Sequence, residues 1–146
     1  DIIDNMLIIS CFSGGKMFAD RVIYTGIQQL GKPYIFNATP FQSNSFDCSS
    51  FIQYIFRVNG VSLPRNSRQQ FQVGAPVPLQ KIKKGDLLFF TTSARKRRKG
   101  LNRIGHVALY LGNGKILHTF PKSKRVVISK LGLKWRKVLI GAKRIY

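Results

Sequence analysis

Three side chains in this sequence have the types that thiol-based acyl transfer needs: Cys48, His106 and His118. A thiolate is a strong nucleophile, an imidazole can take and return a proton near neutral pH, and a second imidazole can hold the first in place. Cys48 stands in Phe46-Asp47-Cys48-Ser49-Ser50-Phe51, at the head of a hydrophobic run that Asn59-Gly60 closes. That pattern predicts a helix over roughly 48–58 with Asp47 as its N-cap. The unpaired N–H groups and dipole at such a helix start favour the thiolate, so the sequence predicts a thiol more acidic than usual. A cysteine alone in an apolar helix would be a packing residue. The two histidines, the only ones in the chain, change that reading because they fall on adjacent predicted strands, in GHVALYLG and KILHTF.

A Cys-His-His triad of nucleophile, general base and orienting residue requires both rings on one face of the hairpin. If Gly112-Asn113-Gly114 is a three-residue loop, Tyr110 pairs with Ile116 and Ala108 with His118, and the rings share a face. A two-residue Asn113-Gly114 loop would separate them, because a one-residue slip reverses every side chain. The odd-numbered loop is therefore expected.

The elements around these residues divide by position. Phe18, Val22, Ile23, Ile27 and Leu30 recur at helical spacing ahead of Gly31 and Pro33, giving a first helix over roughly 16–30. Residues 34–45 read as a loop, and a short helical piece is expected near 65–71. From Lys84 onward the pattern becomes strands, at 86–91, 106–111, 115–120, 125–129 and 138–142. Helices followed by a meander of strands make an α+β fold, with N-terminal helices packed on an antiparallel sheet of five to six strands. Residues 1–15 read as an N-terminal arm and 16–146 as one domain.

The order DCSSF, LPRNSRQQ, KKGDLLFF, GHVALYLGNGKILH and IGAKR resembles the NlpC-type cell-wall peptidases, which are papain-like cysteine peptidases acting on bacterial peptidoglycan. The resemblance runs over roughly 18–146. It implies a nucleophile at Cys48, a base at His106 and an orienting residue at His118. It also implies substrate contacts at Tyr34, Asp47, Ser49 and Ser67; in relatives that cut beside a free N-terminal L-Ala, the aspartate matching Asp47 meets its amine. The implied reaction is endopeptidase hydrolysis of the γ-D-glutamyl bond to the diamino acid of a stem peptide, through an acyl-enzyme and with no cofactor. Two departures bear on substrate: Ile35-Phe36-Asn37-Ala38 replaces an aromatic followed by Gly-Gly, and Ser50 stands where Gly is common. They leave the catalytic atoms in place and open the substrate to another γ-glutamyl polymer.

Composition narrows the field further. The chain of 146 residues has 25 Lys+Arg against 5 Asp, no Glu and a net charge of +20. So few acids argue against a two-carboxylate glycosidase or an oxygen-ligand metal cage, and two Cys with two His leave no structural zinc pattern. Residues 1–80 carry +2 and residues 81–146 carry +18. That asymmetry points to polyanions such as anionic wall polymers, with nucleic acid as the lesser choice. The loop Arg95-Lys96-Arg97-Arg98-Lys99 is the expected polyanion contact, taking no part in bond cleavage. The competing function is therefore a non-catalytic polyanion-binding module. No stretch is long enough to span a membrane, and the expected location is extracytoplasmic, secreted or wall-associated. Met6-Leu7-Ile8-Ile9-Ser10-Cys11 resembles the end of a lipoprotein signal, which would make Cys11 an anchor, although the acidic start runs against it. A Cys11–Cys48 disulfide is the other use for Cys11.

Overall fold

The run Leu87-Leu88-Phe89-Phe90 offers no side chain that prefers water, and the fold covers it on both sides. In the computed structural model, which describes residues 14–146, the strand it forms with Thr91 is central in a six-stranded sheet and all five residues are buried. The arm expected over 1–15 lies outside the described residues except for Gly14 and Gly15, and so does Cys11.

The strands are β1 (Ala75–Val77), β2 (Leu87–Thr91), β3 (Ile104–Gly112), β4 (Lys115–His118), β5 (Val127–Lys130) and β6 (Leu139–Arg144). They run in the order β1-β6-β2-β3-β4-β5 with every neighbour antiparallel. The helices are α1 (Gly14–Ile27), α2 (Cys48–Val58), α3 (Ser67–Gln70) and α4 (Leu133–Val138). The α+β architecture expected from the sequence is the one found. α1 ends at Ile27 rather than near 30, because the chain turns over residues 28–31 and Gly31 takes a φ of 85°. β1 carries Pro76 at the sheet edge, where a missing N–H costs no ladder bond.

Period-two alternation divides the sheet's side chains between two cores. Leu87, Phe89, Val107, Leu109 and Leu117 meet Phe51, Ile52, Ile55 and Phe56 of α2 and Val22 and Ile23 of α1. On the opposite face Leu88, Phe90, Ala108, Tyr110 and Ile116 pack with Trp135 and Val138 of α4. Residues 133–138 had no predicted helix, and this is the element that closes the second face.

The β3–β4 turn corrects the loop expected from sequence. Gly112 pairs with Lys115, so Asn113-Gly114 is a two-residue turn. Both have positive φ, 53° and 71°, as the tight hairpin turn demands. The register then shifts between Tyr110 and Gly112, so that Tyr110 still pairs with Ile116. One extra residue in a bulge does what the longer loop was expected to do. The faces of β3 and β4 therefore keep the alignment that the two histidines need.

Asp86, at the start of β2, is fully buried and holds the sheet together. It accepts hydrogen bonds from Arg144 Nε at 2.8 Å and Nη2 at 2.9 Å, and from the Lys83 amide at 2.8 Å. Asp86→Ala would strand Arg144 and remove the tie between β2 and β6. The expected loss is about 3 kcal/mol of stability, read as a fall in melting temperature of roughly 10 °C by calorimetry. An unchanged melting temperature would show that the pair contributes nothing net.

Candidate active site

Cys48 is the first residue of α2, and the turn before it is built by its neighbours. Asp47 Oδ1 accepts from the Ser50 amide at 2.8 Å, and Ser50 Oγ accepts from the Asp47 amide at 3.0 Å. This reciprocal cap explains Ser50, the residue that departs from glycine: its hydroxyl is one half of the box. Asn37 takes a φ of 56°, the left-handed region that glycine enters freely and asparagine tolerates. Cys48 carries a free thiol.

The two histidines lie on the same face. His106 Nε2 and His118 Nδ1 share a hydrogen bond of 2.9 Å, and His118 Nε2 lies 2.7 Å from Ser129 Oγ on β5. For His106 Nδ1 to act as a base, Nε2 must carry the proton. His118 Nδ1 then accepts it, and His118 Nε2–H donates to Ser129 Oγ. Ser129, which ends this relay, was not among the site residues expected from sequence. It is the only serine on the predicted strands, but nothing in its own stretch of sequence points to a histidine 11 residues away.

Trp135 is the second omission. Its ring stands 5.4 Å from His106 and 4.9 Å from His118 between centroids, beside Phe90 and Phe120. The aromatic box keeps water from the pair. Burial pushes His118 down to about 3, and burial with His118 alongside pushes His106 well below its ordinary range. Burial and then Asp47 push the Cys48 thiol up to about 11. The amides of Val107 and Ser49 and the Arg65 cation pull it the other way without winning. The expected acidic thiol is thus not found in the resting site: loss of solvent outweighs the helix end. Thiol and imidazoles rest uncharged.

A stability prediction follows from the rings. As pH falls from 6.5, the usual value, towards about 3, the unfolded chain takes up protons at both histidines that the folded chain does not. Stability should therefore fall with falling pH, by about 1.4 kcal/mol per unit for each ring. Denaturant titrations between about pH 6.5 and about pH 4.5 should show it, and His118→Gln should remove about half of the slope. A slope indifferent to that substitution would mean that the folded ring takes up its proton normally.

The cleft has two lobes that meet at Cys48. One, of about 250 Å³, is lined by Tyr34, Asp47, Ser49 and Ser67 together with Arg65, Arg68 and Arg95. All four sequence-predicted substrate residues are therefore in one place. Tyr34 arrives there because its strand segment bridges to Phe46, just ahead of the nucleophile. Burial and then the neighbouring Cys48 and Asp47 push its phenol up to about 12, so it stays protonated and can donate. The other lobe, of about 520 Å³, brings Cys48 and His106 together with Phe120 and Trp135.

Arg65 is the most consequential omission. Its Nη2 and Nη1 donate to the two Asp47 carboxylate oxygens at 2.6 and 3.2 Å. They also donate to Ala38 O at 2.7 Å and Ser49 Oγ at 2.9 Å. Of the basic loop, Lys96 to Lys99 are exposed, but Arg95 lines the smaller lobe. The loop is therefore not confined to the surface away from the cleft. At its inner end, β3 is bulged beside His106, with Phe90 opposite His106 and Thr91 opposite Ile104. Gly105 in this bulge has no room for a side chain: a Cβ would stand 2.6 Å from Thr92 Oγ1.

Residues 31–144 match the NlpC/P60 family. Over 116 residues, 80% of this chain, it is 41% identical to the gamma-D-glutamyl-L-lysine dipeptidyl-peptidase of Bacillus subtilis, spanning 37% of that protein. The crystal structure of an NlpC/P60 family protein from Bacillus cereus superposes with a TM-score of 0.76 and 35% identity, over 87% of this chain and 40% of that one. RipD of Mycobacterium tuberculosis, described as a non-catalytic NlpC/p60 domain protein adapted to peptidoglycan binding, is 28% identical with a TM-score of 0.71. That match covers 88% of this chain and 98% of RipD's.

Proposed function

We propose that this chain, which belongs to the NlpC/P60 family, is a cysteine endopeptidase that cleaves peptidoglycan stem peptides at the γ-D-glutamyl–diamino acid bond. The observation that carries the reading is that Cys48 and His106 line one cleft, with His106 backed by a relay through His118 to Ser129 at 2.9 and 2.7 Å. The 41% identity to a γ-D-glutamyl-L-lysine dipeptidyl-peptidase supports the substrate class.

In this mechanism neither charge exists before substrate arrives. His106 Nδ1 takes the thiol proton as Cys48 Sγ attacks the γ-carbonyl, so the buried site makes a mutually neutralising pair rather than two lone ions. The Cys48 amide at the helix start and the protonated Tyr34 hydroxyl are the proposed oxyanion donors. The imidazolium protonates the leaving amine, which departs into the larger lobe and leaves a γ-glutamyl thioester. Water, deprotonated by His106, then releases the acid and restores the thiol. Asp47 and Ser49 would receive the peptide's amino end.

The exposed cations from Lys96 to Lys99 serve the second part of the proposal, attachment of an extracytoplasmic enzyme to anionic wall polymer. Rising salt should weaken that attachment, and salt-independent retention on wall material would refute it. Nucleic acid is the weaker polyanion choice, because Trp135, the aromatic with the most basic neighbours, is engaged with the histidines. The decisive experiment for catalysis is digestion of purified peptidoglycan, with the released fragments weighed by mass spectrometry. Fragments ending in γ-D-glutamate are expected. The likeness to RipD favours one other reading, a wall-binding module without catalysis, and retention of wall material with no fragments from several wall types would establish it.

A further inference from the structure

Each aspartate among the described residues already has a cationic partner: Asp20 meets Lys84, Asp47 meets Arg65 and Asp86 meets Arg144. The chain has no glutamate. Arg68 and Arg95 are thus without a carboxylate partner among the described residues, although both are partly buried and both line the smaller lobe of the cleft. Backbone carbonyls fix them there. Arg68 Nη1 donates to Ile104 O at 2.8 Å, and Arg95 Nη1 donates to Asn102 O at 3.2 Å. The Arg95 stem also runs close over Gly105, where a Cβ would stand 3.0 Å from its Cδ. Two guanidiniums are therefore anchored beside the bulge that leads into His106. Burial and the cations of Arg68 and Arg98 pull Arg95 below its ordinary value. Like charges gathered in a concave wall attract an anion into it.

We infer that Arg68 and Arg95 form a subsite that reads a free carboxylate on the acyl side of the scissile bond. The identity of the ligand rests on the hydrolase reading above. The acyl side is assigned because Asp47, Ser49 and Ser67 share the lobe. A γ-linked glutamyl residue enters its amide bond through the side chain and so keeps its α-carboxylate. Guanidinium donors match that group with charge-assisted hydrogen bonds, whereas an α-carboxamide has lost the charge and presents donors of its own. The enzyme should therefore select γ-glutamyl residues with a free α-carboxylate over amidated ones. Stem peptides and γ-glutamyl polymers both present this group. Arg95 in this role belongs to substrate recognition, while the rest of its loop faces outward.

The test compares three ligands: L-Ala-γ-D-Glu-L-Lys, the same tripeptide amidated at the glutamyl α-position, and a short γ-glutamyl oligomer. The intact protein should favour the carboxylate tripeptide over the amidated one by about 10- to 100-fold in kcat/KM. Arg95→Gln should bring that ratio close to one, and Arg95→Lys should recover part of it. Faster turnover of the oligomer than of the tripeptide, with the same loss in Arg95→Gln, would place the carboxylate in a polymer instead of a stem peptide. Cleavage of both tripeptides with the same ratio in the intact protein and Arg95→Gln overturns the subsite and leaves the hydrolase reading standing. If nothing is cleaved, the hydrolase reading fails, and calorimetry with L-Ala-γ-D-Glu and its amide decides the subsite alone. A carboxylate preference lost in Arg95→Gln sustains it, while equal binding or none overturns it.

Discussion

Cys48→Ala should abolish hydrolysis of a γ-D-glutamyl peptide, with a loss on the order of 10⁶-fold in kcat and little change in melting temperature. The substitution removes the only atom that can form the acyl-enzyme, whereas Asp47 and Ser50, which cap the helix, remain. Release of the amine product from a defined peptide is the readout. Residual turnover within a hundredfold of the intact protein would remove Cys48 from the chemistry. The same thiol gives a second, independent signature. Its acidity lies near 11, so the rate of alkylation by a neutral reagent should climb about tenfold per pH unit through the neutral and mildly alkaline range. A resting thiolate–imidazolium pair would instead give a plateau around neutrality. The two measurements separate whether the sulfur reacts from when it loses its proton.

Arg65→Leu carries the second large effect. Asp47 is nearly buried and carries the N-cap of α2, and Arg65 answers its charge with two hydrogen bonds. Without that cation the carboxylate is left uncompensated beside the nucleophile, an arrangement that costs about 3 kcal/mol or more. Loss of the links to Ala38 O and Ser49 Oγ would also loosen the lobe wall. A displacement of that kind lowers kcat/KM by about 10²-fold. Arg65→Lys should restore only part of both, because an ammonium cannot reproduce the planar fork. Denaturant unfolding and peptide kinetics on the same preparations would check the pair of effects. Wild-type stability in Arg65→Leu would mean that Asp47 is held adequately by its cap alone.

Pattern revealed most of the scaffold: α2 shows a helical apolar spacing, β2 is a short unbroken apolar run after Gly85-Asp86, and β3 and β4 flank the turn residues Asn113-Gly114. The nucleophile's helix and its Asp47 cap were legible for the same reason. The histidine faces were found through the right pairing of Tyr110 with Ile116 but the wrong turn, since a bulge leaves no mark that distinguishes it from a longer loop. α4 is a single basic turn and a half after Gly132, and β1 has three residues with a proline. Neither is long enough to show a period. Arg65 and Ser129 were hidden for another reason. Their partners lie 18 and 11 residues away in sequence, and only the folded chain brings them together. The thiol's acidity was misjudged because a helix start is visible in sequence whereas the depth of burial is not.

The chain contains a single tryptophan, and its indole rests against both imidazoles. Its emission is therefore a native optical reporter, without labels or competing signals from other indoles. A charged ring at either neighbour, or a leaving group settling in the larger lobe, would change the quenching of that one fluorophore. Stopped-flow fluorescence could then time events beside His106 directly in the unmodified protein.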